Sequence, residues 1–458
     1  MILTVHAIVP EAAAGRDVSI GLCDVFNWNS YSKGDLFSPY HDCGFALRRK
    51  ARAQFHYVAR GQPRQESASV AETNKIGILT GGGDVPGLNP VIKSVVYGAS
   101  ETGRQVTGIR KGWEGLTHMI GPHDATYIRE LTRENTRTID RSGGTVLHTS
   151  RTNPRRVADS KVPQHLSAKK LKELSFDGKY YDFTPIVIDN LEQLGVGCLV
   201  AIGGDDTLSF ASVLSAAGFP VIAIPKTMDN DVQGTEYCIG FSTAVTRAKQ
   251  SISRQRTTIG SHERIGVFRI FGRDAGFTAL YTAYVTSERC LIPEVPFDVD
   301  RLCRLLMEDK AINPSNYALI IVSEGAIWTE GEVKELGEAD AYGHRKKADI
   351  GHALAEEVRR RTGQETMVSD LTYDLRSGEP DSIDQLVSIT FANIAVDLIR
   401  NGVSGRMIGI QNGCYAQVPL PDVSLGARKV NVAMLYNTER YRPNYRSKLG
   451  APLLFGGS

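Results

Sequence analysis

The chain lacks the cysteine patterns that mark disulfide frameworks and zinc sites. Its seven cysteines are scattered over 458 residues, odd in number, and none has Cys-x-x-Cys spacing. This usage is typical of reduced thiols in the cytosol. The formal net charge is only +2, which argues against a dedicated nucleic-acid surface.

Long apolar runs are missing as well. No stretch approaches the roughly 20 apolar residues that a membrane-spanning helix needs. The N-terminus has no charged region followed by an apolar core, as a secretory signal would have. We therefore expect a cytoplasmic protein without a membrane partner. Hydrophobic residues make up 41% of the chain, enough for a large core that we expect to be divided into two lobes.

Residues 1–71 show no sustained helix or strand period. Their basic run, Arg48–Arg52, is interpreted as a solvated charge cluster rather than a contact for an acidic partner. We expect a poorly ordered extension, or an artefact of a wrongly assigned start. No Met lies between Met1 and Met119, so the second hypothesis places the start at a valine codon for Val70. Intact-mass measurement of the native protein distinguishes the two.

Glycine-rich turns follow two predicted strands. Lys75 begins a strand that runs into Gly81-Gly-Gly-Asp-Val-Pro-Gly-Leu-Asn89, where a helix is predicted to open. The apolar run Cys198–Ile202 leads into Gly203-Gly-Asp-Asp206. Glycine lets a backbone approach a ligand closely, and N–H groups at a helix start can face an anion. Each turn alone is about as consistent with a tight turn as with a phosphate site.

Acidic and basic side chains accompany these turns. Asp205 and Asp206 lie at a predicted strand end, and carboxylates beside phosphate need a cation between them, so Asp205 is interpreted as a Mg²⁺ ligand. A third strand leads into Pro225-Lys-Thr-Met-Asp-Asn-Asp231. Lys226 offers a charge for phosphate, and a carboxylate beside a sugar hydroxyl can accept its proton. The alternative for this segment is a capped surface turn.

A fourth motif spans Arg264 to Gly276 and contains Phe271-Gly-Arg-Asp-Ala-Gly276. Its arginines, Arg264 and Arg273, are suited to bidentate phosphate contacts, although a single arginine is more often a solvated surface charge. Together, in this order and spacing, the four motifs resemble the phosphofructokinase A family. The resemblance runs from about Lys75 to beyond Asn412.

The resemblance implies an α/β fold of two Rossmann-like lobes with mainly parallel sheets. The donor lobe, for pyrophosphate and magnesium, is expected at residues 72–240 and 376–425. The sugar-phosphate lobe is expected at 241–375 and 426–458.

The residue at position 206 bears on the phosphoryl donor. ATP-dependent members of the family usually have Gly-Gly-Asp-Gly, whereas pyrophosphate-dependent members have a second acidic residue, as Asp206 is here. It would take the space and charge of the nucleotide α-phosphate, and Lys226 supports this assignment. We predict reversible, Mg²⁺-dependent transfer from pyrophosphate to fructose 6-phosphate. The alternatives are an ATP-dependent kinase, a kinase for sedoheptulose 7-phosphate, and a catalytically silent sugar-phosphate sensor.

The resemblance also implies individual roles. Asp229 matches the catalytic base, Lys226 and Arg273 match groups that stabilise the transferring phosphoryl group, and Asp206 belongs to the same predicted catalytic set. Arg264 matches a residue that completes a neighbouring subunit's site, which implies a homodimer or homotetramer. The predicted substrate-binding residues are Gly82, Arg151, Thr227, Arg264, Phe271, Gly272, Glu324, Tyr373 and Arg376.

Two departures from the family pattern stand out. Met367 replaces an arginine that would hold the 6-phosphate, so the acceptor pocket is expected to be altered in detail. Lys93 and Tyr97 occupy the positions of two effector-binding arginines, and we expect weak or absent nucleotide regulation.

Overall fold

The computed structural model describes residues 74–329, 335–336, 346–347 and 349–445. The expectations for residues 1–71 lie outside this range. The strands are β1 Lys75–Thr80, β2 Gln105–Ile109, β3 Ile128–Leu131, β4 Val157–Ala158, β5 Tyr180–Tyr181, β6 Cys198–Gly203, β7 Val221–Pro225, β8 Ile265–Ile270, β9 Arg289–Leu291, β10 Ala318–Ser323, β11 Glu335–Leu336, β12 Lys346–Lys347, β13 Thr366–Leu371, β14 Arg406–Gln411, β15 Cys414–Pro419, β16 Tyr436–Asn437 and β17 Arg442–Pro443.

The α-helices alternate with the longer strands along most of the described chain. They are α1 Leu88–Glu101, α2 Trp113–His118, α3 Ala168–Leu174, α4 Thr184–Gln193, α5 Asp205–Ala216, α6 Phe241–Ser261, α7 Phe277–Thr286, α8 Val299–Ile312, α9 Ile350–Thr362, α10 Ser382–Arg400 and α11 Val432–Leu435. The charged segment 159–184 contains α3 and the short strand β5.

The larger sheet has seven strands in the order β15-β14-β7-β6-β1-β2-β3. Its five inner strands are parallel, and β3 and β15 pair antiparallel at the two edges. Every residue of β6 is buried. A continuous apolar run of this kind is what a parallel strand needs when helices cover both faces of the sheet.

The smaller sheet has four parallel strands in the order β13-β8-β10-β9. The predicted α/β fold with mainly parallel sheets is confirmed. The strands of the larger sheet come from residues 75–225 and 406–419. Those of the smaller sheet come from residues 265–371. The lobe boundaries stay a prediction.

Helix α10 corrects one statement made from the sequence. Its 19 residues have a mean hydropathy of 1.3 over an 18-residue window, so among the described residues it is long and apolar enough to cross a membrane. However, 44% of that window is buried inside the protein, and the helix packs against α1 and α6. A buried helix of a globular core meets the same criteria, so α10 is weak evidence for a membrane span.

Helix α10 also carries a buried carboxylate that joins it to the start of α6. Asp384 is fully buried and accepts hydrogen bonds from Tyr237 Oη at 2.6 Å, from the Gly240 N–H at 2.8 Å and from the Thr243 N–H at 2.8 Å. The Thr243 hydroxyl donates a further bond at 2.5 Å. All of these donors lose their acceptor if the carboxylate is removed.

We therefore expect Asp384→Ala to destabilise the protein by at least about 3 kcal/mol, because buried donors left unpaired cost about 1–3 kcal/mol each. Urea unfolding followed by circular dichroism measures the change. Asp397→Ala on the same helix is the matched control, since Asp397 is 58% exposed and should cost less than about 0.5 kcal/mol. Equal midpoints for the two variants would contradict the prediction.

Candidate active site

A cavity of about 710 Å³ opens where the turns after strands of both sheets meet. It is bounded by the turns after β1, β6 and β7 of the larger sheet and after β8 and β10 of the smaller one. The carboxyl ends of strands are the usual ligand-binding edge of open α/β sheets. Most of the predicted site residues line this cavity: Gly82, Arg151, Asp205, Asp206, Lys226, Thr227, Asp229, Phe271, Arg273, Glu324 and Arg376.

The first glycine turn requires glycine at position 82. Gly82 has a φ of 77°, which is the left-handed region that side chains with a Cβ disfavour. Its N–H donates to Ser150 O at 3.0 Å, and its carbonyl accepts from Thr149 Oγ1 at 2.6 Å. A Cβ at Gly82 would lie 3.1 Å from Lys226 Nζ. The turn therefore places backbone that carries no side chain beside the amine of Lys226, which was predicted from the sequence to bind phosphate.

The second turn places two carboxylates in the first turn of α5. Gly204 is the N-cap and makes no side-chain hydrogen bond, so neither Asp205 nor Asp206 is the capping residue. Burial, with Asp231, Asp206 and Asp274 nearby, raises the pKa of Asp205 to about 7, although Arg273 opposes the shift. Carboxylates that lie this close together favour the binding of a cation between them.

Lys226 is buried, with 4% of its surface exposed. Its N–H donates to Gly203 O at 3.0 Å, which fixes the third turn against the second. Burial, with Arg376 nearby, lowers the pKa of Lys226 to about 8, while Asp206 and Asp84 raise it. Lys226 thus has both positively and negatively charged neighbours, and it lies on the cavity wall that the two glycine turns form.

Asp229 has a carboxylate oxygen that is unused within the described protein. Its Oδ1 is buried and has no hydrogen-bond partner, while its N–H donates to Thr227 Oγ1 at 3.1 Å. Burial, followed by the charges of Asp231 and Glu324, raises the pKa of Asp229 well above its ordinary value. A buried, unpaired oxygen with raised basicity is what a general base offers to a hydroxyl.

The smaller sheet contributes the opposite wall. Arg273 follows β8 and forms an ion pair with Asp274, with Nε and Oδ2 2.8 Å apart. The Glu324 N–H donates to Ile270 O at 2.9 Å, which holds the turn after β10 against the end of β8. Phe271 and Glu324 both line the cavity. This wall therefore carries one cation and two acidic groups.

Arg376 reaches the cavity beside the first glycine turn. Its Nε lies 3.5 Å from Asp84 Oδ1, and its guanidinium carbon lies 4.8 Å from the centre of the Tyr373 ring. Tyr373 itself is 65% exposed, and its ring meets Phe271 edge-on with the ring centres 6.1 Å apart. Of these two predicted substrate-binding residues, Arg376 lies on the cavity wall and Tyr373 lies in a more exposed position.

Two other predicted residues do not line the cavity. Gly272 shapes the turn after β8: its φ is 128°, and a Cβ there would lie 2.4 Å from Ser323 Oγ. Arg264 precedes β8 at the other end of the strand, about 20 Å away by strand geometry. There it pairs with Glu365, with Nη2 and Oε2 2.8 Å apart. Arg264 therefore does not reach the site of its own chain.

The structure adds residues that sequence reasoning had not assigned. The cavity is also lined by Asp84, Gln233, Asp274 and Lys429. Lys429 Nζ donates to the carbonyl of Asp274. Asp274 could have been found, because it lies inside the fourth motif. Lys429 lies far along the chain, 155 residues from the Asp274 carbonyl that it binds, and only folding brings it to the site.

The acidic groups of the cavity fit a magnesium ion. Asp205, Asp206 and Asp231 share the cavity, and Asp229 Oδ1 is buried without a partner. Carboxylate oxygens are the ligands that Mg²⁺ prefers, usually one or two of them together with substrate phosphates. Asp205 is the residue best suited to hold the ion, since burial and three neighbouring carboxylates raise its pKa and a cation would offset the repulsion among these carboxylates.

Comparison with known proteins gives a family match over most of the chain. The family model described as phosphofructokinase matches residues 75–399. The pyrophosphate–fructose 6-phosphate 1-phosphotransferase of Streptomyces coelicolor is 35% identical over 365 residues, covering 79% of this chain and 97% of that protein. The protein of the same name from Thermoproteus tenax is 36% identical over 373 residues, covering 81% and 99%.

An ATP-dependent 6-phosphofructokinase of Chloroflexus aggregans is 33% identical over 353 residues, covering 77% of this chain and 91% of that protein. Among solved structures, a pyrophosphate-dependent phosphofructokinase from Marinobacter aquaeolei superposes with a TM-score of 0.64 at 16% identity, covering 83% of this chain and 95% of that one. At this identity the structural likeness shows the fold alone.

Proposed function

The chain belongs to the phosphofructokinase family, and we propose that it uses pyrophosphate to phosphorylate the 1-hydroxyl of fructose 6-phosphate. The products are fructose 1,6-bisphosphate and phosphate. The observation that carries the donor assignment is Asp206. Its carboxylate lies in the first turn of α5, on the cavity wall that holds Gly82 and Lys226. A fixed negative charge there repels the α-phosphate of a nucleotide and leaves room for the shorter donor.

Asp229 acts as the base in this proposal. Its buried Oδ1 has no partner among the described residues, so it is available to accept the proton of the sugar 1-hydroxyl as that oxygen attacks phosphorus. Lys226 and Arg273 stabilise the charge on the transferring phosphoryl group from the two walls of the cavity. Positioning and electrostatics supply most of the catalysis in phosphoryl transfer.

The remaining residues bind the two substrates. Gly82 and Arg151 contact the donor, and Asp205 holds Mg²⁺. When bound, Mg²⁺ neutralises negative charge on the donor phosphates. The acceptor is held by Thr227, Phe271, Glu324 and Arg376, which line the cavity. Gly272 shapes the turn that follows Phe271, and Tyr373 supports the site through its ring contact with Phe271.

Arg264 completes the site of an adjacent subunit in this proposal. In its own chain Arg264 lies before β8, at the end of that strand away from the cavity. The proposed assembly is a homodimer or homotetramer, and the proposed location is the cytoplasm.

The test is an initial-rate comparison of pyrophosphate and ATP as donors, each with fructose 6-phosphate and Mg²⁺. The proposal expects turnover with pyrophosphate and little or none with ATP. The Chloroflexus aggregans relative makes an ATP-dependent kinase the second candidate, and efficient use of ATP would establish it. Because Met367 replaces a family arginine, sedoheptulose 7-phosphate is measured beside fructose 6-phosphate. No turnover with any pair would contradict both candidates.

Lys226 predicts an alkaline limit to donor use. Its pKa of about 8 means that the ammonium is charged below this pH and neutral above it. We expect kcat/KM for pyrophosphate to fall as pH rises through about 8, because this ratio reports groups of the free enzyme.

Lys226→Arg is the diagnostic variant, because arginine stays protonated at all pH values used. It should lower activity at neutral pH yet lose the alkaline limb. A limb that persists unchanged in Lys226→Arg would assign it to another group or to the substrate.

A further inference from the structure

A segment beyond the family match reaches the loop that carries the proposed base. The match ends at residue 399, whereas part of the stretch 426–430 lines the cavity. Within this segment, Gly426, Ala427 and Lys429 line the cavity. The side chain between the last two, Arg428, takes a different direction, and its contacts are with protein rather than with the space where substrates bind.

Arg428 binds the backbone carbonyls of Asn230, Asp231 and Glu236. Its N–H donates to Asp231 O at 2.7 Å, and its Nη2 donates to Asn230 O at 2.7 Å and to Glu236 O at 3.3 Å. The guanidinium carbon lies 4.1 Å from the centre of the Phe277 ring. The Arg428 side chain thus connects the loop that follows Asp229, the backbone at Glu236 and the first residue of α7.

The loop it binds turns through the left-handed region. Asn230 has a φ of 56°, a conformation that is uncommon for residues with a Cβ and that asparagine adopts more readily than most, often with local hydrogen bonds from its side chain. Its side chain donates to Glu236 O at 3.0 Å and accepts from the Cys238 N–H at 2.7 Å. Those bonds hold the side chain of Asn230, and Arg428 holds the carbonyl of Asn230. The loop turns at this residue, between Asp229 and Asp231.

The ring contact and the carbonyl bonds are best made by a guanidinium. It is planar, stacks on aromatic rings and offers several N–H groups in a fixed arrangement, whereas an ammonium is a compact point charge on a flexible stem. The segment is anchored as well on its far side, where Val430 N–H donates to Glu294 Oε1 at 2.9 Å. The same oxygen accepts from Gly276 N–H at 3.0 Å, beside the fourth motif.

We propose that Arg428 is a positioning residue for phosphoryl transfer: it holds the 229–231 backbone so that Asp229 points at the acceptor hydroxyl. The inference rests on the proposed role of Asp229. Arg428 itself is not among the residues that line the cavity. A displacement of the base by about 1 Å can cost about 10²-fold in rate, so the effect should fall on kcat rather than on substrate binding.

The experiment measures kcat and both KM values for Arg428→Lys and Arg428→Met, each alone and combined with Asp229→Asn. In the otherwise native protein, Arg428→Met should lower kcat by about 10- to 100-fold, and Arg428→Lys by less. Both KM values should change by less than about twofold. With Asn at position 229 there is no base to position, so neither change at 428 should lower the residual rate by more than about twofold.

Arg442→Met is the matched control. Arg442 is a half-buried arginine of the same C-terminal stretch, bound to Asp309 at 2.9 Å and outside the cavity, and its loss should leave kcat unchanged. An equal fall of kcat on the native and Asp229→Asn backgrounds would reduce Arg428 to a structural role and overturn the inference. So would an unchanged kcat in Arg428→Met.

If Arg428→Met does not fold, Arg428→Lys decides by the same comparison. A native protein that does not turn over with pyrophosphate would instead overturn the proposed function, so the two failures are distinguishable.

Discussion

Replacing Asp229 by asparagine will lower kcat by about 10²- to 10⁴-fold, the range that general acid–base groups contribute. The amide has the shape of the carboxylate but cannot accept the proton of the attacking hydroxyl. Because Asp229 Oδ1 is buried without a partner, the change removes no hydrogen bond to that oxygen. Steady-state rates with pyrophosphate and fructose 6-phosphate measure the effect, and both KM values should stay close to those of the native enzyme.

The same substitution should change the pH profile. Burial and the neighbouring charges of Asp231 and Glu324 raise the pKa of Asp229. The base works only when ionised, so native activity should fall as pH drops through this raised pKa, at higher pH than for an ordinary aspartate. The acid limb should disappear in Asp229→Asn. A limb that persists would assign the titration to another group.

Stability should move in the opposite direction from activity. A carboxylate with a raised pKa in the folded state contributes stability that is present below its unfolded pKa and lost as pH rises through the folded value. Above this raised pKa the buried charge of Asp229 therefore destabilises the fold, and at such pH Asp229→Asn should raise the melting temperature. A variant that is inactive because it misfolds would melt earlier, so the two measurements together separate chemistry from folding.

Asp140→Asn is the matched control for both measurements. Asp140 Oδ1 is also buried without a hydrogen-bond partner, but its other oxygen pairs with Lys93 at 2.8 Å, and the residue lies outside the cavity. Its replacement should leave kcat unchanged. A loss of activity comparable to that of Asp229→Asn would contradict the assignment of Asp229 as the base.

Residues close to a glycine turn could be placed from the sequence, because a local pattern fixes them. An apolar run followed by glycine predicts a strand end, and parallel strand ends share one edge of a sheet. Asp206 and Lys226 follow β6 and β7, which are neighbours in the sheet, so both reach the cavity as the motifs indicated. The family and its α/β fold were predictable from the same motifs.

Contacts between residues that are far apart in the sequence could not be predicted in this way. Arg428 and Lys429 lie about 200 and 155 residues from the loops they bind, and no periodicity links such distant positions. Asp384 reads as an ordinary polar residue near a helix start, yet it is fully buried. Burial of that kind is a property of how helices pack, and a single sequence does not show which helix faces which.

Changing Asp206 to glycine should transfer activity from pyrophosphate to ATP. Glycine removes both the charge and the volume that, in the proposed function, stand where the nucleotide α-phosphate would lie, and each charged clash can cost several kcal/mol. We expect ATP turnover to appear and the preference for pyrophosphate to fall by at least about 10²-fold, since 1.4 kcal/mol corresponds to a factor of 10. The measurement is kcat/KM for each donor at saturating fructose 6-phosphate.

Two further variants at the same position separate charge from volume. Asp206→Asn keeps the side-chain volume and removes the charge, while Asp206→Ala removes the charge and most of the volume and keeps the Cβ. ATP use already in Asp206→Asn would show that repulsion excludes the nucleotide, and ATP use only in Asp206→Gly would show that space does. Efficient ATP use by the native protein would contradict the assignment and leave Asp206 without a role in donor choice.

The charge of Asp206 has a second effect that the same variants test. Asp206 raises the pKa of Lys226 against the stronger effects of burial and Arg376. Without that charge, the pKa of Lys226 should fall further below about 8, and the alkaline limb of kcat/KM should move to lower pH in both Asp206→Asn and Asp206→Gly. The limb should not move in Asp140→Asn. A carboxylate that excludes one donor would thus also keep the lysine charged for the other, so donor choice and catalysis share one side chain.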